Sequence, residues 1–472
     1  MGQELGTSQF GDEDFVQFTD KMRAETELLS GWEAAGEMSG DPTTIGFELE
    51  AWLVDEGGRP AAENEAFIDA VDNELVVPEL SLFNVEFNGN PAELTGRGLQ
   101  DLHIELEGLW KHAVDRANSM GLKLANIGIL PTVESADLCI DNMSKGNRYK
   151  ALNEQVFRLR KGKPIKLNIE GKETLRDEHH DVMLEAAATS FQIHIKVPPG
   201  GGVNYYNASK LASAPLIAVS ANSPFLFGKN LWAETRIPLF EQAVSVGDWD
   251  YAERVTFGVR FIEESLSEVF AANRQRYPIL LPEVRDAAPE KMAHLRLQNG
   301  TIWRWNRPLV GWDDDGTPHF RMEQRVVPAG PTIADSIANS AFYYGLVTYL
   351  ADHETPPHER TQFFTTRDNF YACAKHGLEA NVRWDHIDEQ PIDQLILEAF
   401  LPMAKEGLKS RQVADEDVEK YLGIIEARCR SGHTGAAWQR AYVSAHSASL
   451  EDMLEAYIKN QETGKPVHEW TL

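Results

Sequence analysis

Four short segments of the chain alternate between apolar and polar residues, and that pattern predicts β-strands with two chemically different faces. They are Thr43–Val54, Phe83–Asn88, Thr189–Val197 and His319–Val327. Thr301–Val310 precedes the last of these across an Asp-Asp-Asp-Gly turn at residues 313–316, which predicts a β-hairpin. Leu122–Leu130 predicts a further strand.

Apolar residues at helical spacing separate these strands. The run from Leu99 to Ala117 predicts a helix that ends near Gly121, and a second helix follows the glycines at 200–202. Thr332 and Asp335 give the N-cap signal for a helix that continues to Leu350. The chain beyond residue 350 predicts helices and no obvious strand. We therefore expect an α+β fold: a mainly antiparallel sheet with helices on one face.

Composition and charge narrow the class of protein. The chain has 45 Lys and Arg against 73 Asp and Glu, a net charge of −28 that disfavours nucleic acid as a partner. Its three cysteines are widely scattered, which indicates a reducing compartment. No apolar run approaches the ~20 residues of a membrane span, and the first residues show no signal pattern. These features predict a cytoplasmic protein without a membrane partner. Glycine-rich phosphate loops of the two common kinds are absent from the sequence.

The polar faces of the predicted strands carry the candidate chemistry. They present Glu48 and Glu50 on the first strand, Glu86 on the second, Gln192 and His194 on the third, and Arg321, Glu323 and Arg325 on the last. If these faces line one cavity, the crowded carboxylates require cations, and hard oxygen ligands suit Mg²⁺ or Mn²⁺. An ordinary antiparallel sheet with one hydrated face would give the same pattern, so both interpretations stay open.

Cationic and aromatic residues outside those strands could bind phosphates. Lys145, Arg148, Lys229 and Arg236 lie in segments rich in anion-binding groups, although single arginines in loops are usually surface residues. The stretch from Thr301 to Pro308 interleaves two tryptophans with two arginines, and it could stack a nucleobase or simply fill the core. Within it, Asn306 and Arg307 should point to opposite faces of a regular strand, so we expect one of them to enter a site.

Five ordered segments resemble the glutamate–cysteine ligase superfamily, which shares its catalytic fold with glutamine synthetase. They are Gly46–Glu50, the acids Glu79 and Glu86 with Phe87-Asn88 behind them, Gln192–His194, Ala221–Phe225 with Lys229 and Arg236, and Met322–Arg325 leading into Pro331-Thr332. The resemblance implies a curved, funnel-like sheet with helices on its outer face. It divides the chain into an N-terminal helical segment 1–42, a catalytic domain 43–350 and a C-terminal helical extension 351–472.

The resemblance also implies roles for individual residues and a reaction. The implied metal ligands are Glu48, Glu50, Glu79, Glu86, His194 and Glu323; the implied catalytic groups are Arg236, Arg325 and Glu48; the implied nucleotide contacts are Lys145, Arg148, Lys229, Asn306 and Arg307. The implied reaction uses ATP and Mg²⁺ or Mn²⁺ to join glutamate to an amine, with cysteine expected, in a protein that could form homo-oligomers.

Other activities remain open at this stage. Many relatives have His-x-His where Gln192 and His194 stand, and the stretch from Trp303 to Arg307 does not fit the better-known members closely. A ligase for another carboxylate or amine, a guanidino kinase of the same superfamily fold, and a non-catalytic metal or nucleotide binder are the alternatives.

Overall fold

A computed structural model describes residues 4–247, 253–385 and 388–472 of the chain. Its strands are β1 (Thr44–Val54), β2 (Val76–Pro78), β3 (Asn84–Asn88), β4 (Ala92–Glu93), β5 (Lys123–Ala125), β6 (Ile165–Glu170), β7 (Thr174–His179), β8 (Phe191–Lys196), β9 (Phe225–Leu226), β10 (Lys229–Asn230), β11 (Asn306–Trp312), β12 (Pro318–Gln324), β13 (Asn381–Val382) and β14 (Gln390–Pro391). Its helices are α1 (Asp12–Ala35), α2 (Asn64–Val71), α3 (Gly98–Ser119), α4 (Asn147–Leu159), α5 (Gly202–Ser220), α6 (Arg236–Ala243), α7 (Ser267–Arg276), α8 (Ala293–Asn299), α9 (Ile333–Asp352), α10 (Pro357–Arg360), α11 (Phe363–His376), α12 (Ile392–Leu395), α13 (Leu401–Ser410), α14 (Asp415–Ser431), α15 (Gly435–His446) and α16 (Leu450–Glu462).

The main sheet is antiparallel and open, as the alternating pattern predicted. Its strand order is β11-β12-β8-β1-β3-β2, and β4 and β5 pair with the two ends of the long strand β1. Side chains alternate across each strand. The apolar set of β1, which runs from Ile45 to Leu53, is buried on one face, and Glu48 and Glu50 lie on the other.

Helices α5 and α9 cover the apolar face of the sheet. On α5, Ser209 and Ser213 bond the amides of Asn306 and Gln324 from the two hairpin strands. Helix α9 begins at the predicted cap, where the Thr332 hydroxyl accepts the main-chain N–H of Asp335 at 3.2 Å. The C-terminal helices α13 and α14 pack on α9, so residues after 350 extend the same core.

Some local predictions were wrong. The segment predicted as a strand from Leu122 to Leu130 is paired only over Lys123–Ala125, and the hairpin strand predicted to begin at Thr301 begins at Asn306. The hairpin of β6 and β7 was not predicted, although Ile165, Leu167 and Ile169 alternate with polar residues there. The C-terminal part also contains the short pair β13–β14, where no strand was expected.

Helix α1 packs against α7 and α8. Together α7, α8 and the segment between them lie over the polar face of the sheet, where the cavity described below is found. Across the described ranges, every helix is too short or too polar to cross a bilayer.

Candidate active site

A cavity of about 610 Å³ opens over the polar face of the main sheet. One wall is the sheet with adjoining segments, which contribute Glu48, Glu50, Glu79, Glu86, Arg148, Glu185, Gln192, Arg307, Arg321, Glu323 and Arg325. The other wall is the segment from Arg285 to Gly300, which includes helix α8, and we call it the helical wall. The cavity therefore combines a dense group of carboxylates with a separate group of cations.

Strand register brings the sequence-predicted carboxylates together. Glu50 on β1 lies directly opposite Glu86 on β3, and Glu323 on β12 lies directly opposite His194 on β8. Glu79 follows the short strand β2 and reaches the same face. Residues that are up to 275 positions apart in sequence thus meet because their strands are neighbours in one sheet.

Glu50, Glu79 and Glu86 form the first of two carboxylate clusters, with one oxygen from each within 4.8 Å of the others. Burial raises the pKa of Glu86 to about 7, and the charge of Glu48 adds to that shift. The pKa of Glu79 is raised well above its ordinary value by burial and by the charges of Glu86 and Glu50. Three acids at this spacing, of which Glu86 is buried and the other two are half-buried, repel one another when ionised, and a bound cation would relieve that repulsion.

Glu48, His194 and Glu323 form the second cluster. The Nε2 atom of His194 lies 3.7 Å from an oxygen of Glu48 and 3.7 Å from an oxygen of Glu323. That buried nitrogen makes no hydrogen bond within the described part of the chain. Burial lowers the pKa of His194 to about 4, which keeps the imidazole neutral and able to donate a lone pair to a metal ion.

Two arginines complete the sheet wall. Arg307 holds Glu323 with a two-pronged contact, Nε to Oε2 at 2.6 Å and Nη2 to Oε1 at 2.9 Å. Arg325 bonds Glu323 at 3.3 Å and also bonds the side-chain oxygen of Gln192. The Gln192 amide in turn donates to Glu50 at 3.0 Å, so one network links the two clusters. Burial alone would raise the pKa of Glu323, but Arg307 and Arg325 hold it well below its usual range.

Both clusters fit a hard divalent cation. Carboxylate oxygens with at most one imidazole are the donor set that Mg²⁺ and Mn²⁺ accept. The unpartnered Nε2 of His194 and the raised pKa values of the Glu79 and Glu86 carboxyls are the features that a metal ion would account for.

Five residues predicted for the site are not part of the cavity lining, and one of them, His194, still belongs to the second cluster. The other four have partners away from the cavity. Lys145 and Lys229 are exposed and pair with Glu65 at 2.7 Å and Glu173 at 3.0 Å. Asn306 faces the other side of the sheet and bonds α5, while its neighbour Arg307 enters the cavity, as strand alternation required. The fourth is Arg236.

Arg236 is buried behind Arg325. Its guanidinium donates to the main-chain carbonyls of Arg325, Val326 and Val327 at 2.9–3.2 Å and lies 3.3 Å from Glu234. This geometry anchors the end of β12 and so positions Arg325. The Arg236 guanidinium is directed at these carbonyls and does not line the cavity.

Sequence reasoning missed several cavity residues. Glu185 comes from a short 3₁₀ turn, Met183–Ala187, that carries no periodic signal. Arg285, Lys291 and Arg296 come from the helical wall, whose place over the sheet depends on tertiary contacts. Arg321 differs from these, because alternation did place it on the polar face of its strand; it lines the cavity, but no role was predicted for it.

Comparison with known proteins gives a family and a related fold. Residues 44–462 match the model of glutamate-cysteine ligase family 2. A protein of Trichormus variabilis named "Putative glutamate--cysteine ligase 2" is 22% identical over 435 residues, which cover 88% of this chain and 93% of that protein. The crystal structure of glutamate–cysteine ligase from Francisella tularensis in complex with AMP shares the fold, with a TM-score of 0.57 and 12% identity over 92% of this chain and 96% of that one.

The fold and the family place this protein among the ATP-dependent ligases. The chain belongs to glutamate-cysteine ligase family 2, whose model spans the main sheet from β1 onward and the C-terminal helices through α16. Helix α1 precedes the matched region.

Proposed function

We propose that this protein joins the γ-carboxylate of glutamate to an amine, with cysteine as the expected acceptor, at the expense of ATP. The γ-carboxylate oxygen bonds to the γ-phosphorus of ATP as ADP leaves. The amine nitrogen then attacks the acyl carbon of the resulting acyl phosphate, inorganic phosphate leaves, and an amide remains. The protein needs no nucleophile of its own for either step.

One observation carries the proposal: two carboxylate clusters and two linked arginines share one face of one cavity. A reaction between two anions, a carboxylate and a triphosphate, is slow chiefly because they repel and must be aligned. A site that concentrates cation ligands next to arginines suits that problem. A hydrolytic site built on a protein nucleophile would instead require an activating base beside it.

The arginines and carboxylates have separate tasks in this scheme. Arg325, anchored by Arg236 from behind, faces the cavity where negative charge spreads over the transferring phosphoryl group. Arg307 keeps Glu323 ionised and fixes its orientation. The residues that would hold Mg²⁺ are Glu48, His194 and Glu323 in one cluster and Glu50, Glu79 and Glu86 in the other. A bound divalent cation would supply neutralisation of phosphate charge.

The test is ADP release by purified protein with Mg²⁺, ATP and glutamate, with and without cysteine, and mass analysis of the product. We expect cysteine-dependent ADP release and γ-glutamylcysteine. Turnover with a different amine or acid would keep the ligase chemistry and replace the named substrate. A stable phosphorylated product formed without an amine acceptor would indicate a kinase. ATP binding without ADP release for every pair would indicate a non-catalytic binder.

A further inference from the structure

Glu185 is a cavity carboxylate that neither metal cluster uses. It lies in the 3₁₀ turn Met183–Ala187 between β7 and β8, and both flanking pairs of residues in that turn are buried. The main-chain N–H of Val182, just before the turn, donates to the Asn153 side chain on α4 at 3.1 Å. The turn is therefore fixed in place, and its one acidic side chain lines the cavity.

The Glu185 carboxylate makes no hydrogen bond and no ion pair with any residue that the structure describes. Arg325, Glu50 and Arg148 line the same cavity, and their charges act on Glu185. Burial raises the pKa of Glu185 to about 7, and the charge of Glu50 adds to that shift. An additional carboxylate in a cavity already rich in carboxylates costs free energy, because like charges repel and a buried charge needs a partner. A cationic group of a ligand would supply that partner.

Arg148 adds a positive charge to the part of the cavity where Glu185 lies. It belongs to α4, the helix that holds the Glu185 turn, and it lines the same cavity. Each of the two charges acts on the other. A carboxylate next to a guanidinium matches the ammonium and carboxylate of a free α-amino acid.

We propose that Glu185 binds the α-ammonium group of the amino acid whose side-chain carboxylate is activated, while Arg148 faces its α-carboxylate. This assignment rests on the proposed function and adds the residue that selects an amino acid over a plain dicarboxylate. The donor, rather than the acceptor, is the bound amino acid because Glu185 lines the same cavity as Arg325 and Glu50, whose charges act on it. An acceptor amine must also lose its proton before it attacks, which a tight ion pair would oppose.

The test compares glutamate with glutarate, which has the same two carboxylates and lacks the ammonium group. Binding of each to wild-type protein and to Glu185→Gln is measured by calorimetry with Mg²⁺ and a non-hydrolysable ATP analogue. A charge-assisted contact predicts that the wild type prefers glutamate about 10- to 100-fold and that the variant loses most of that preference. Glutarate affinity should stay nearly the same in both.

Asp181→Asn is the matched control, because it removes a negative charge beside the same turn while an acceptor oxygen remains for the N–H of Met183. It should keep the preference for glutamate. Glu185→Ala gives a second variant that should behave as Glu185→Gln does. The proposal is overturned if wild-type protein does not prefer glutamate, or if both Glu185 variants retain the preference.

The outcomes for Glu185 and for the overall reaction can be told apart. Lost discrimination in Glu185→Gln with intact ADP release from the wild type supports both. Retained discrimination with intact ADP release overturns only the Glu185 assignment. Normal discrimination in the wild type without amide formation overturns the reaction and keeps the binding role. If the variant instead loses thermal stabilisation by Mg²⁺, Glu185 is a metal ligand and the assignment fails.

Discussion

The two walls of the cavity are built on different principles. On the sheet wall, register between β1, β3, β8 and β12 fixes each charged side chain, and most of those side chains bond one another. On the helical wall, Arg285, Lys291 and Arg296 face the cavity from a segment that contains a 3₁₀ turn, Pro289–Lys291, and the short helix α8, and that is not part of the sheet. Strand pairing and mutual hydrogen bonds position the side chains of the sheet wall. The helical wall must instead be positioned by contacts with other parts of the chain.

Helix α1 is what holds the helical wall. Buried Glu25 on α1 lies 2.6 Å from Nδ1 of His294, and its second oxygen accepts the N–H groups of His294 and Leu295 at 2.9 and 2.7 Å. The other ring nitrogen of His294 accepts the N–H of Arg285 at 3.0 Å. One carboxylate thus caps helix α8 and, through one imidazole, fixes the start of the wall. Helix α1, which lies outside the family match, therefore supports one of the two walls of the cavity.

The largest expected effect comes from breaking the sheet wall at its centre. Glu323→Gln keeps the shape of the side chain but removes the charge that Arg307 and Arg325 share. Losing one such electrostatic group in other enzymes lowers kcat by about 10²- to 10³-fold, and we expect a loss of that size in ADP release. The variant should also gain less thermal stability from added Mg²⁺ than the wild type gains, because one proposed ligand is gone.

Asp314→Asn is the control for that change. Asp314 lies in the turn that joins β11 and β12, on the same hairpin as Glu323 but away from the cavity lining. Its activity and its response to Mg²⁺ should match the wild type. Near-normal turnover in Glu323→Gln would mean that the second cluster is not part of the reacting centre.

The contrast between the walls also explains what the sequence could predict. The period-two pattern placed Glu48, Glu86, His194 and Glu323 on one kind of face, and pairing of neighbouring strands brought them together. The same alternation required that the side chains of Asn306 and Arg307 lie on opposite faces of the sheet, and they do. Short-range pattern is sufficient where the backbone itself sets side-chain direction.

Tertiary contacts set the rest, and the sequence pattern does not contain them. Nothing local to Glu25 indicates that it meets His294, 269 positions away. Likewise, Lys145 and Lys229 lie in segments whose composition suggested a phosphate site. Each of them pairs instead with a surface carboxylate. Arg236 was predicted as catalytic from its motif, but its guanidinium bonds main-chain carbonyls behind Arg325.

A smaller effect is expected from loosening the helical wall. Glu25→Gln removes the charge that accepts two main-chain N–H groups and faces His294, contacts typically worth about 1–3 kcal/mol to stability. We expect a lower melting temperature. We also expect the cations of the helical wall to contact the phosphates of ATP, so their displacement should raise KM for ATP more than it lowers kcat while the sheet wall stays intact.

Glu27→Gln on the same helix is the matched control, since Glu27 is exposed. It should leave both the melting temperature and the kinetics unchanged. A fall in kcat as large as that of Glu323→Gln would show that the helical wall takes part in the chemical step, and the contrast between the walls would then fail.

Arg296→Met is expected to have the smallest effect on kinetics. Unlike Glu25→Gln, it should not lower the melting temperature. Arg296 lies over the ring of Trp312 at 5.2 Å, and after burial the charges of Arg321 and Arg285 are what lower its pKa. Removing it relieves repulsion among the three cations, and methionine can still cover Trp312. The melting temperature should therefore hold or rise slightly, in contrast to Glu25→Gln.

The kinetic consequence of Arg296→Met follows from the exposure of that side chain. Contacts to an exposed charge are worth about 0.2–1 kcal/mol, which corresponds to a rise in KM for ATP of at most about fivefold. Because such contacts are screened, the rise should shrink as salt is added, and Arg430→Met on α14 should show no rise at all. A salt-independent loss of kcat would instead mean that Arg296 touches the reacting groups, so that both walls, and not the sheet alone, carry the chemistry.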